Sequence, residues 1–314
     1  MKPWARKLAL LAVGHVVAVV AGEALLRVTY SGWSNYNTEM WRYATTVKQK
    51  TPDNPRLGHE HKPHATAQLY GTEIRTNSLG LREDREFEVP KPSGLKRLLV
   101  LGDSITLAWG VDVEDGFCAR LDAALDGWEV INSGVGNYNS SAEAATYEKL
   151  QVLEPDAVML AFYINDIEKP QYCSGLWCSL SHHTYYYPLL KDRLGGGTGT
   201  YIDYYTDWYE RESDRLEADL DGVMTAAAQR DQPMVLVAIP ELHSFTENPF
   251  PQVDALLQRV LARHPEVALV DLRPHLVGHE PKDLWVSQED HHPNAEGHRL
   301  FAEGMLPVLV EVLP

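Results

Sequence analysis

Four stretches of the chain carry residues with the chemistry of acyl transfer. Residues 98–110 read LLVLGDSITLAWG, an apolar run that stops at Gly102, Asp103 and Ser104. A serine hydroxyl is a weak nucleophile until a base takes its proton. The histidine in the most telling setting is His292, in WVSQEDHHPNAEGH. Asp290 and Glu289 stand just upstream, either of them suited to hold the ring tautomer and to stabilise the imidazolium. A tetrahedral intermediate also needs donors for its oxyanion. Ser104 offers its own backbone N–H, Gly136 lies in a turn where the missing side chain lets an N–H approach closely, and Asn165 offers a side-chain amide.

These residues need a scaffold that brings distant segments to one rim. From Leu95 onward, short continuous apolar runs alternate with helical patterns. RLLVLGDS, WEVIN, DAVMLAFY, PMVLVAIP and VALVDL read as five strands. Phe117–Leu125, SSAEAATYEKLQVL, the amphipathic stretch Asp214–Gln229, DALLQRVLARH and a last segment from about Asn294 to Leu313 read as helices. That alternation predicts an α/β fold with a parallel five-stranded sheet covered on both faces. Chemistry in such folds collects beyond the carboxyl ends of the strands. The first three strands exit into Gly102-Asp103-Ser104, into Asn132 to Asn137, and into Tyr163 to Asp166. His292 sits in the loop after the last strand, with Pro293 expected to help start the final helix.

In this order, the GDS at 102–104, the Gly136 turn, Asn165-Asp166 and His292-Pro293-Asn294 resemble the blocks of the SGNH hydrolases (GDSL-type esterases). The resemblance runs from about Leu95 to the C-terminus, and the preceding NSLGLR resembles an extension of membrane-anchored bacterial members. It implies a flavodoxin-like three-layer α/β/α sandwich, Ser104 as nucleophile, His292 as base, and Ser104, Gly136 and Asn165 as oxyanion donors. No cofactor and no metal are implied. Two positions depart from the family pattern. Tyr163 replaces the usual glycine before Asn165. The acid usually stands three residues before the histidine, where this chain has Glu289, whereas Asp290 is two before, a spacing of some related acyltransferases. Asp290 is the expected acid and Glu289 the reserve.

The chain has 314 residues, 44% hydrophobic and 23% charged, which fits a packed globular core. A formal net charge of -16 argues against nucleic acid as a partner, because phosphate recognition needs clustered Lys and Arg. Lys2, Arg6 and Lys7 precede an uncharged run from Leu8 to Gly22, the pattern of an export signal. Ala21 and Gly22 permit cleavage and secretion. The apolar pattern resumes after Glu23, which favours a retained inner-membrane anchor with the body on the periplasmic or extracellular side. Residues 1–29 thus read as signal or anchor, 30–92 as an extension packing on the main domain, and 93–314 as the hydrolase domain.

An aromatic-rich insert at about 169–212 follows Asn165-Asp166, with Trp177, Tyr185, Tyr186, Tyr187, Tyr201, Tyr204, Tyr205, Trp208 and Tyr209. Its rings suit sugar stacking, a membrane interface or a small core of their own. Cys173 and Cys178 would staple it in an oxidising compartment or remain thiols. GVGNYN lacks the third glycine of a dinucleotide fingerprint. GGGTG at 195–199 follows no strand, the adjacent pairs His182-His183 and His291-His292 lack metal-ligand spacing, and no Gly-x-Ser-x-Gly occurs. The expected activity is an exported serine esterase acting on an acylated small molecule, an envelope glycan or a lipid ester. The alternatives are an O-acyltransferase on an envelope polysaccharide and a noncatalytic glycan-binding protein.

Overall fold

The computed structural model describes residues 2–30, 36–169, 181, 183–187, 189–190 and 200–313. Cys173, Cys178, Trp177, His182 and the 195–199 glycines lie outside the described residues, and with them the expected staple. The chain forms two compact units, one from residues 1–45 and 173–197, the other from 46–172 and 198–314.

In the first unit, helix α1 (Pro3–Tyr30) carries an 18-residue apolar window of mean hydropathy 2.1 within Pro3–Thr29. At 1.5 Å per residue it is about 40 Å long, enough for a hydrocarbon core of about 30 Å. Two of its charges pair, with Arg27 Nε 2.9 Å from Glu23 Oε1. The Glu23 carboxylate also accepts from the Tyr185 N–H at 3.0 Å, and Arg27 donates to the His183 carbonyl at 2.7 Å. Helix α2 (Tyr36–Thr46) follows, and Trp41 meets Tyr185 edge to face at 4.8 Å.

The second unit opens with two antiparallel ribbons, β1 (Lys48–Lys50) with β2 (His59–His61), and β3 (Thr66–Leu69) with β4 (Thr72–Arg75). The parallel sheet follows: β5 (Lys96–Leu101), β6 (Trp128–Asn132), β7 (Ala157–Phe162), β8 (Met234–Ala238) and β9 (Ala268–Asp271). Its order, β6-β5-β7-β8-β9, is that of a flavodoxin-like doubly wound sheet, so the switch point falls at β5. The alternation of side chains along β5 explains the layers. Leu99 and Leu101 enter one core with α4 (Ser140–Leu150), α5 (Tyr201–Ala228) and α6 (Pro251–Leu261). Leu98 and Val100 enter the other with α3 (Phe117–Ala124), the short α7 (Arg273–Leu276) and α8 (Ala295–Val312). The three-layer α/β/α fold expected from the strand rhythm is the one observed.

Two boundaries differ from expectation. Helix α5 begins at Tyr201, capped by Thr200 and Asp203, so the end of the expected insert, residues 201–212, is regular helix. The signal lay in the spacing: Tyr201, Tyr205 and Tyr209 recur every four residues and continue the apolar face of Leu216, Leu220 and Val223. The final helix is capped by Asn294, whose side chain accepts from the Glu296 and Gly297 N–H groups at 3.1 Å. Pro293 stands before the cap and bridges to Trp285 instead of opening the helix.

Behind β5, the Glu143 carboxyl on α4 is fully buried, with no hydrogen-bond partner among the described residues. Burial, then the charges of Asp103 and Asp219, push it well above the carboxylate range. The folded chain therefore keeps a proton that the unfolded chain releases above about pH 4.5, and this contribution weakens as pH rises, by up to about 1.4 kcal/mol per pH unit. Glu143→Gln should gain thermal stability relative to the parent as pH is raised from 5 to 8. Melting curves in parallel check this, and a growing loss for the glutamine variant would mean an ionised, cation-held carboxylate.

Candidate active site

Strand β5 delivers Ser104 to the rim through a turn that admits no bulk. A Cβ at Gly102 would stand 2.1 Å from Thr106 Oγ1. On the neighbouring exit, a Cβ at Gly134 would stand 2.2 Å from the Leu107 nitrogen and 2.8 Å from the Asp103 carbonyl oxygen. The first and second strand exits thus pack backbone against backbone, which is the physical reason for glycine at both places.

The turn closes on itself, Leu107 N–H to Asp103 O at 3.0 Å and Trp109 N–H to Ser104 O at 3.0 Å. It carries Ala108 at φ 62°, a left-handed residue without glycine's freedom. Buried Arg82, from the NSLGLR stretch, holds this conformation. Its guanidinium donates to the carbonyls of Leu107 at 2.9 Å, Ala108 at 2.5 Å and Val111 at 2.8 Å. The segment before the sheet is therefore a structural part of the serine turn.

Ser104 Oγ lies 2.8 Å from His292 Nε2. His292 Nδ1 lies 2.5 Å from Asp290 Oδ1, which also accepts from the His292 backbone N–H at 3.1 Å. Trp109 Nε1 donates to Asp290 Oδ2 at 2.7 Å. Asp290 is 1% exposed. Burial raises its carboxyl, but hydrogen bonding to His292, the charge of His292 and the Trp109 donor outweigh it and leave the group below the ordinary carboxylate range. Glu289 is exposed and does not reach the ring; its backbone N–H caps onto Ser287 Oγ. Of the two acids weighed from sequence, the structure brings Asp290 to the histidine.

Asn165 sits in the 3-10 turn Ile164–Ile167 at the exit of β7. Its Nδ2 donates to Asp103 Oδ2 at 2.8 Å, while Asp103 Oδ1 accepts from the Ile105 N–H at 2.8 Å. Asp103 thus links the serine turn to the third strand exit. Helix α5 supports the same turn from behind, through Tyr209 Oη to the Ile164 carbonyl at 3.2 Å and Arg215 to the Ile167 and Glu168 carbonyls. Tyr163 packs between the two cores, and burial pushes its phenol well up. Gly136 lies on the second exit, where Val135 N–H reaches the Gly102 carbonyl at 3.4 Å. All three exits converge on one rim.

Sequence reasoning passed over Trp109, Arg82 and Gly134. Trp109 follows Ser104 by five residues, but nothing in that spacing says which acid its indole will meet. Arg82 lay inside a recognisable stretch, and its burial is visible only in three dimensions.

Among solved structures, the fold is similar to that of TesA, with 18% identity, 69% of this chain and 100% of that one covered, and a TM-score of 0.47. It is similar to the psychrotrophic esterase EstA from Pseudoalteromonas sp., with 15% identity, 69% and 97% covered, and a TM-score of 0.46. A catalytic mutant of Axe2, an acetylxylan esterase from Geobacillus stearothermophilus, gives 19% identity, 69% and 94% covered, and a TM-score of 0.44. No curated protein matches the chain. The model of the GDSL-like lipase/acylhydrolase family matches residues 100–300, a span that opens on β5 and closes inside α8. With most of its length inside that match, the chain belongs to the GDSL-like lipase/acylhydrolase family and is an esterase acting on carboxylic esters.

Proposed function

We propose that Ser104, His292 and Asp290 perform this esterase's chemistry, and that the protein is an exported, membrane-anchored enzyme removing acyl groups from an envelope glycan or lipid. One observation carries the assignment of residues: an unbroken chain from Ser104 Oγ through His292 to a buried carboxylate, with links of 2.8 and 2.5 Å. His292 Nε2 takes the Ser104 proton as Oγ bonds to the ester carbonyl carbon. The electron pair of the carbonyl moves to its oxygen, which the Ser104 and Gly136 N–H groups and the second N–H of the Asn165 amide receive. His292 returns the proton to the departing alkoxide. Water, deprotonated by the same nitrogen, then attacks the acyl-enzyme and releases the carboxylate, and Ser104 regains its proton.

Asp290 accepts the hydrogen bond from the Nδ1–H throughout and so keeps Nε2 a base. Anchoring is supported by α1 together with Lys2, Arg6 and Lys7, whose charge favours a cytoplasmic N-terminus with the body on the other side.

The test uses the full chain in detergent with p-nitrophenyl acetate, butyrate and octanoate, with and without excess oligosaccharide acceptor. Ser104-dependent release of p-nitrophenol is expected, with the chain-length profile reporting the acyl group accepted. Acylated acceptor exceeding free acid would assign the same acyl-enzyme to transfer, with a sugar hydroxyl in place of water. Absence of both turnover and Ser104 labelling by a fluorophosphonate would overturn the esterase assignment of these residues and favour glycan binding.

A further inference from the structure

The turn that bears Gly136 is held by side chains outside the family-matched span. Val135 to Tyr138 form a tight turn, closed by the Tyr138 N–H to the Val135 carbonyl at 3.0 Å. Asn137, its third residue, has φ 65°. A left-handed residue there marks a type II turn, whose central peptide is rotated half a revolution from the commoner type I arrangement. Asparagine tolerates this conformation but does not favour it over the right-handed one, so something must retain the rotated peptide.

Two donors converge on that peptide. Lys48 Nζ lies 2.5 Å from the Gly136 carbonyl oxygen, and His59 Nε2 lies 3.0 Å from the same atom. Both come from the first ribbon, where Lys48 pairs with His61 and Lys50 with His59, so the two side chains are diagonal neighbours on one face. The ribbon is itself anchored, His61 Nδ1 donating to the Gly80 carbonyl at 2.9 Å. Burial lowers the Lys48 amine to about 7 and the His59 and His61 rings to about 3, and neutral imidazole keeps one N–H to donate. Tyr138 stacks at a tilt against His59, with 5.4 Å between ring centroids, which fixes the ring over the turn.

We infer that Lys48 and His59 are positioning residues of the esterase, gripping the Gly136 carbonyl so that the Gly136 turn stays in the one orientation from which it serves the oxyanion. Loss of the grip lets the central peptide, Gly136 C=O to Asn137 N–H, rotate toward the type I form, and the Gly136 N–H, which belongs to the preceding peptide, loses the anchor that fixes its position. The inference rests on the proposed role of Gly136, and its consequence is that the segment before the sheet completes the site.

Lys48→Met in the full chain should lower kcat for p-nitrophenyl acetate about 10- to 100-fold, short of the loss for a whole oxyanion donor, with KM changed less than about threefold. Lys48→Arg, which keeps a donor, should recover most of the rate. Adding Asn137→Gly to Lys48→Met should recover part of it, because glycine favours the left-handed position whatever holds the carbonyl. A crystal structure of Lys48→Met should show Asn137 at negative φ. Parental kcat, a loss confined to KM, or Asn137 unchanged in that structure overturns the inference. A parent enzyme without Ser104-dependent turnover overturns the assignment of the catalytic residues instead, and the Asn137 conformation then decides the positioning role by itself.

Discussion

Ser104→Ala is expected to lower kcat on p-nitrophenyl acetate by about 10³- to 10⁶-fold, the range over which removal of an activated serine acts in enzymes of this chemistry. The expectation follows from the 2.8 Å contact of Oγ with His292 Nε2. The oxyanion donors stay, and general-base attack by water directed by His292 sets the residual rate. The fold should tolerate the change. Ser104 is buried, but its side chain contributes one short hydrogen bond worth about 1 kcal/mol. A melting temperature within a few degrees of the parent, together with the loss of turnover and of fluorophosphonate labelling, separates chemistry from unfolding. An alanine variant keeping a tenth of the parental rate would place the nucleophile elsewhere.

Asp290→Asn is expected to cost about 10³- to 10⁴-fold in kcat, the scale seen when the orienting carboxylate of a triad becomes an amide. The Asp290 carboxylate meets three donors: the His292 ring, the His292 backbone N–H and the Trp109 indole. A carboxylate accepts all of them, whereas an amide has one oxygen and one NH₂. With its NH₂ toward His292, Nδ1 must become the acceptor, the ring proton moves to Nε2, and the base facing Ser104 is lost. With its NH₂ toward Trp109, two N–H groups confront each other in a buried site. Either arrangement is penalised. Glu289→Gln, at an exposed side chain off the ring, should stay within about twofold of the parent. Measured side by side, the pair distinguishes the two acids; a large loss at Glu289 with a small one at Asp290 would reverse the assignment.

The strand rhythm from Leu95, the breaks at Gly102, Asn132 and Tyr163, and the terminal His292-Pro293-Asn294 were legible in the sequence because they are local. Buried parallel strands must be apolar along both faces, and a parallel sheet of this kind has its active rim at the strand exits. From those rules the architecture and the meeting of three exits follow without coordinates. What the tertiary structure alone decided was which polar groups meet. Asp290 and Glu289 are adjacent and chemically alike, and the choice between them comes from the direction each side chain takes, Asp290 toward Trp109 and His292, Glu289 into solvent. Arg82, Lys48 and His59 carry no spacing signal, because each acts on a backbone carbonyl, an atom present at every residue. Periodicity reports which faces are buried; partner choice across tens of residues depends on the packed distances that only the folded chain creates.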